Sequence, residues 1–267
     1  HNAVQHATIR LQQCVKEIAE WMRKNNLKLN DSKSELIVFT PPRVPRPLDW
    51  ISFDGASITA SVVVRDLGFL LEEHLADSHQ EDALCKSCYF HLANIGAIRK
   101  SLTRATAEKL VHALVTSKLD FCNALLAAIP ANLMKKLQRV QNTAANIVTM
   151  TPEHEHISPV LRELHWLPVC QRIKFKIATL TWKALHDEAP VYLKELLHPH
   201  TPSRELRSSS AALCCVPSIR TKLGERAFNH CAPMIWNELP LLLRTTETLS
   251  HFKSLLKTHL FKKYFIN

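Results

Sequence analysis

The sequence predicts an α+β fold in which short antiparallel strands are confined to the first third and the remainder is mainly helical. Three observations carry this. Before residue 75 the apolar residues fall in short runs broken by turn-forming residues, and from His79 they recur at helical spacing. Between the first strand and the next, "TPPRVPRPLDW" packs four prolines into a stretch that neither helix nor strand can continue through.

Taken in order, Leu11, Val15, Ile18 and Met22 form one helical stripe that should end at Asn25–Asn26, since Asn tolerates the left-handed cap. Asn30, Asp31 and Ser32 supply turn chemistry before a strand at Leu36–Phe39, so Lys33 stands at a helix–turn–strand corner. A loop follows from Thr40 to about Asp49. Ile51–Phe53 and Ala56–Thr59 are expected to pair around Asp54–Gly55, and Val62–Val64 with Leu67–Leu71 around Arg65–Asp66.

The helical period begins at His79. Ala107, Leu110, Val111, Leu114 and Val115 define a helix after a Thr103 cap, and Leu133, Leu137, Val140, Ala144 and Ile147 another after Pro130. Short connections make such helices antiparallel neighbours in a small bundle. Further helices are expected over Val169–His186, Val191–Leu197 and Leu249–Tyr264, with "TPSRELRSSSAALCCVPSIRTKLG" as a loop carrying short strands. The organisation read from this is 1–78, 79–150 and 151–267, without repeats or low-complexity tracts.

At 267 residues and 46% hydrophobic, the chain can bury substantial cores. Apolar runs stay well short of the roughly 20 residues that span a bilayer, and the first ten residues lack a secretory pattern, so a soluble, intracellular protein, cytoplasmic or nuclear, without a membrane partner is expected. The formal charge of +10 is unevenly spread. Residues 1–79 hold 9 Lys and Arg against 10 Asp and Glu, residues 80–200 hold 15 against 10, and residues 201–267 hold 10 against 4. That excess points to a polyanion such as nucleic acid, though a membrane surface or solubility alone gives the same sign. The eight scattered cysteines read as free thiols, several of them buried.

Two helices carry basic residues without an acid. "PANLMKKLQRVQNTAANIVTM" offers Lys135, Lys136 and Arg139 among Gln138, Gln141, Asn142 and Asn146, and "VCQRIKFKIATLTWKALH" offers Arg172, Lys174, Lys176 and Lys183. An apolar stripe can pack while such a face meets phosphates. Phe175 and Trp182 read as core rather than base-stacking residues, and Trp166 and Trp236, beside prolines, as loop anchors. No metal site is expected: Cys85-x-x-Cys88 with His91, and His154 with His156, complete no tetrahedral set, and Cys214 and Cys215 point opposite ways on a strand.

Eight stretches in order, "LKLNDSKSELIVF", "VVRDLGFLLEEHL", "FHLANIGAIRKSLT", "EKLVHALVTSKLDFCNALL", "LQRVQNTAANIV", "HISPVLRELHWLPVCQRIKFKI", "LTWKALHDEAPVYLKELL" and "GERAFNHCAPMIWNELP", resemble successive pieces of the polymerase protein of vertebrate non-LTR, LINE-type retrotransposons. The resemblance implies a chain starting just after motif C of the reverse-transcriptase palm. Residues 1–39 would match motif D, roughly 50–75 the primer-grip hairpin, 79–150 the thumb and 151–267 the C-terminal region. A truncated palm remnant would then precede a helical thumb bundle.

In that family RNA-directed DNA polymerisation uses two divalent cations, Mg²⁺, held by aspartates of motifs A and C. Asp-Asp occurs nowhere here, and the acidic pairs Glu72–Glu73, Glu81–Asp82 and Asp187–Glu188 read as solvated faces. The chain itself is therefore expected to hold no cofactor and to bind an RNA or RNA–DNA template–primer without extending it, the palm and fingers being absent. Lys33 matches the motif D lysine, whose ammonium would neutralise or protonate the leaving pyrophosphate in an intact parent. Two other readings stand beside this one: a domesticated nucleic-acid-binding or interaction module, and a degenerate open reading frame.

Overall fold

The computed structural model describes residues 2–53, 56–76, 78–152, 154–200 and 212–266. They form two compact units, His1–Gln80 and Glu81–Asn267, and the fold is α+β with helix dominant.

Helix α1 (Asn2–Lys24) opens the first unit and stops where two asparagines permit it. Asn26 has φ 56°, the Leu27 N–H reaches the Met22 carbonyl at 2.8 Å, and the Asn25 side chain donates to the Trp21 carbonyl at 2.8 Å, so the last carbonyls are capped. Of the expected stripe, Val15 and Met22 are half-buried, but Leu11 and Ile18 are exposed. The reason is area. Within this unit α1 meets little more than one strand, with Gln12 bonding the Ser52 carbonyl at 2.8 Å, which is too narrow to cover a wide apolar face.

Strands β1 (Leu36–Ile37), β2 (Trp50–Phe53) and β3 (Ala56–Ser61) form a sheet in the order β1-β3-β2. The β2–β3 pair is antiparallel, Trp50 opposite Thr59, as expected; its Asp54–Gly55 turn lies outside the described residues. β1 is shorter than expected and pairs parallel with β3, Leu36 opposite Ala60, because the chain reverses twice between them. Leu36, Ile51 and Ala60 make the small core, with Val38, Leu48 and Ile58 against it.

β4 (Val63–Asp66) and β5 (Phe69–Glu72) form a second hairpin whose turn is Leu67–Gly68, not Arg65–Asp66. A type I′ hairpin turn, one of the two that match strand twist, needs positive φ at both positions. Gly68 adopts 91° readily; Leu67 is forced to 45° with its side chain 89% exposed.

The Glu72–Glu73 pair is not a solvated face. Glu73 is buried because Arg46, from the proline-rich loop, grips it through Nε (2.8 Å) and Nη2 (2.6 Å), while Nη1 donates to the Ala60 carbonyl and Thr40 Oγ1 donates to Glu73. This bidentate pairing holds the Glu73 carboxyl down at about 2, against burial. Glu72, also buried, accepts the His79 N–H at 2.6 Å and the Ser78 hydroxyl at 3.1 Å at the start of helix α2 (Ser78–Ile98).

The second unit continues with α3 (Arg104–Val111), a π turn at His112–Thr116 and α4 (Ser117–Asp120), one continuous right-handed helical path. Thr103 caps it as expected, accepting the Thr106 N–H at 3.2 Å. α5 (Ala131–Thr149) buries Leu133, Leu137, Val140 and Ala144, and Met150 ends it at φ 58°. Arg99 closes its C-terminus by donating to the Ile147 and Val148 carbonyls at 2.8 and 2.7 Å.

α6 (Ile157–Glu163), α7 (Val169–Leu185) and α8 (Val191–Lys194) follow, and then α9 (Phe228–Asn237), α10 (Leu241–Arg244) and α11 (Leu249–Phe265). α5 packs on both α6 and α7, so helices from 79–150 and from 151–267 share a core. Trp182, Trp236 and Phe252 lie at the centre of its distal half, with ring centroids 5.8–6.0 Å apart around Phe252. The two indole N–H groups donate to the Thr246 and Ala212 carbonyls. The 201–211 part of the expected loop lies outside the described residues; beyond it, Cys214 bridges antiparallel to Pro199, burying Cys214 and exposing Cys215. Among the described residues no helix is long and apolar enough to cross a membrane.

Two outcomes test the first unit. Its folded-state Glu73 carboxyl lies below the ordinary 4.5, so the stabilisation from Arg46 is complete above about 4.5 and is lost as pH falls toward about 2. Amide protection factors in β1–β3, taken relative to intrinsic exchange from pH 6 to 2.5, should fall only below that threshold, and Glu73→Gln should remove the dependence. Leu67→Asn, which relieves a left-handed branched side chain, should stabilise the hairpin by about 1 kcal/mol in urea unfolding.

Candidate nucleic-acid interface

The basic residues of α5 divide by what lies beside them. Lys135 and Arg139, one helical turn apart, are exposed and have no side-chain partner among the described residues. Lys136 is committed: its ammonium lies 3.1 Å from Glu81 and 3.2 Å from Asp82 on α2. Glu81 is only 1% exposed, so this carboxylate too departs from the solvated reading, whereas Asp82 is exposed. Bonding to Glu81, then to Asp82, raises the Lys136 pKa. The Cys85 thiol donates to Glu81 at 3.4 Å and is pushed up to about 12, chiefly by burial.

The amides of α5 turn largely inward. Gln138 accepts the Val169 N–H at 2.9 Å and donates to Gln141 and Asn142, and Gln141, 3% exposed, donates to the Leu167 carbonyl at 2.9 Å. They serve the start of α7, which leaves the outward polar face of α5 to Lys135, Arg139 and Asn132.

On α7, Arg172 is paired with Asp120 at the end of α4, its Nε at 2.8 Å and its Nη2 on the second oxygen. Lys174 shares Glu238 with Lys263, at 3.7 and 3.4 Å. Lys176 is exposed and has no ion-pair partner among the described residues. Trp182 is buried, stacked on His186 at 3.8 Å, as a core residue. In the first unit, Lys33 closes a single 3₁₀ turn (Asp31–Lys33), with its N–H on the Asn30 carbonyl and its side chain exposed.

A cavity of about 640 Å³ opens beside α7. Arg172, Phe175 and Lys176 line it from α7, His112 from the π turn, Asn123 from the 3₁₀ turn after α4, and Lys257 from α11; the Leu164–Leu167 loop closes it. Trp166, buried as a loop anchor should be, also walls this space, with its indole N–H on Glu108 at 3.3 Å and its ring 5.2 Å from that of His112. His165 has φ 55°, a left-handed backbone, at the loop tip, and stacks on Phe261 at 5.6 Å. Sequence reading did not find Asn123, His165 or Lys257, since they come from separate segments with no shared spacing.

Among the described residues no three His, Cys, Asp or Glu lie together as a metal site. Three carboxylates of the acidic pairs are each occupied: Glu73 by Arg46, Glu72 by the α2 start and Glu81 by Lys136. They do not fit a two-cation centre.

Comparison with protein-family models, with curated proteins and with solved structures returns no match.

The division between Lys136 and Lys135 is testable. Lys136→Gln leaves Glu81 buried without its cation and should lower the thermal midpoint by several degrees, whereas Lys135→Gln should leave it within a degree. Equal midpoints by differential scanning calorimetry would mean that the Glu81 contact carries no stability.

Proposed function

We propose that this chain binds a primed RNA or an RNA–DNA hybrid, as the post-motif-C palm remnant, thumb and C-terminal region of a non-LTR retrotransposon reverse transcriptase. The observation that carries binding is charge segregation. Residues 81–267 hold 25 Lys and Arg against 14 Asp and Glu, and residues 1–80 hold 9 against 10, so the whole basic excess belongs to the second unit. Within it Lys135 and Arg139 project from α5, one turn apart, with no carboxylate to satisfy them. Such cations can meet phosphate without breaking an ion pair, with the release of phosphate counterions driving the contact.

The eight ordered sequence stretches support the family assignment, and the short strands followed by helices suit a palm edge followed by a thumb. In this reading the chain clamps a template–primer. On the same reading, polymerisation in the parent belongs to the Mg²⁺-binding carboxylates of motifs A and C, and Lys33, whose ammonium is exposed, is matched by sequence resemblance to the motif D lysine. The chain alone should therefore give no primer extension with Mg²⁺ and deoxynucleotides.

The deciding measurement is a salt series on a primed hybrid with two matched variants. Lys135→Gln/Arg139→Gln should flatten log K against log[salt] by about 0.7 to 0.9 for each phosphate contact removed. Arg10→Gln/Lys16→Gln changes the net charge equally from exposed positions of α1 and should leave the slope unchanged. Equal losses would show that diffuse charge drives binding and would overturn the assignment of α5 as the clamp.

A further inference from the structure

The cavity beside α7 has a charge balance that the surface reading does not use. Its two carboxylates are already satisfied: Glu108 accepts from Trp166 and lies 3.5 Å from His112, and Asp120 accepts from Arg172. Lys176 and Lys257 remain, two ammonium groups on different helices with no ion-pair partner among the described residues. With Arg172, Lys176 and Lys257 against Glu108 and Asp120 the lining carries a net charge of about +1, and Lys176 and Lys257 mark the side on which an anionic group is matched.

Asn123 adds a second requirement. It is 3% exposed and lines the cavity, its Nδ2 makes only a long 3.4 Å bond to Asp120, and its buried Oδ1 has no hydrogen-bond partner. Buried amide oxygens are nearly always bonded, so a donor belongs there. The remaining wall is apolar: His112, His165, Trp166 and Phe175 contribute ring surface beside Leu164 and Leu167. The volume lies within the range of about 300–1,000 Å³ usual for small-molecule sites.

We propose that this cavity binds a nucleoside monophosphate group, with the phosphate at Lys176 and Lys257, the base against the His165–Phe175 side and a base N–H donating to Asn123 Oδ1. The phosphate supplies the missing charge, and the base supplies both the flat face and the donor. Two sources share this chemistry, a free nucleotide and the 5′-phosphorylated end of a single strand. Only the second rests on the nucleic-acid reading of the second unit.

Equilibrium titration of the full chain separates them, with adenosine 5′-monophosphate, adenosine, and a single-stranded octanucleotide bearing either a 5′-phosphate or a 5′-hydroxyl as probes. The phosphorylated member of at least one pair should bind about tenfold or more tightly than its counterpart. Lys176→Gln/Lys257→Gln, at two exposed positions that tolerate replacement, should abolish that difference, and Lys135→Gln/Arg139→Gln should preserve it. Asn123→Ala, checked for an unchanged fold by circular dichroism, should weaken the phosphorylated ligand at least threefold. Preference in the adenosine pair identifies a free-nucleotide site, and preference in the octanucleotide pair alone a strand-end site. No preference in either pair, or a preference that survives loss of both lysines, overturns the proposal. Failure of hybrid binding with the nucleotide preference intact would remove the clamp reading and leave the cavity site standing.

Discussion

Helix α7 is buried along most of its length, and that makes its polar ends the constraint around which the second unit is built. Ile173, Ile177, Ala178, Thr181, Trp182 and Ala184 are shielded from water, so no solvent is at hand for the groups the helix cannot satisfy itself. An unpaired buried backbone group costs about 1–3 kcal/mol. Gln138 meets the first N–H, Gln141 takes the Leu167 carbonyl just upstream, and the Trp182 indole reaches the Thr246 carbonyl in the α10–α11 connection. Gln138 and Gln141 of α5 are thus spent inside the protein, and this is why the outward face of α5 is left to its outermost cations.

The same accounting governs charge. A sequence reports how many lysines and arginines there are, whereas packing decides how many remain available. Lys136 exists largely to neutralise Glu81, Arg172 to neutralise Asp120, and Arg46 to carry a carboxylate into the first unit. Arg99 is spent on helix-end carbonyls rather than on any acid. Lys135, Arg139, Lys176 and Lys257 are among the cations of α5, α7 and α11 that no carboxylate of the described residues occupies.

Legibility in the sequence followed the same line. α3 and α5 could be read because each carries a periodic apolar stripe and a recognisable start, Thr103 or Pro130. α6 and α10 are too short to show a period, and Pro233 disguises α9 as a break. Pro240 precedes α10 just as Pro130 precedes α5, a signal at hand but too common alone to declare a helix. The buried glutamates were misread because burial of a carboxylate depends on a partner far along the chain: Arg46 lies 27 residues from Glu73, and Lys136 lies 55 from Glu81. The exposed cations on α5 were visible from composition, but not which of them had partners.

The cavity was the least legible feature for a related reason. Its lining is assembled by tertiary packing from the π turn, a 3₁₀ turn, a loop tip and two helices, and none of these segments is unusual in composition. Two irregularities fall there together, the π turn beginning at His112 and the left-handed backbone of His165. Each departs from the lower-energy regular path, and such departures persist where surrounding contacts hold them. Here those contacts are visible: the His112 ring lies against Trp166, and Glu108 joins both residues, so one carboxylate fixes the helix irregularity to the loop beside it. Trp166 therefore does more than pin a loop to a core. With its indole N–H on Glu108 it holds the wall of the cavity in place, beside the exposed Lys176 and Lys257.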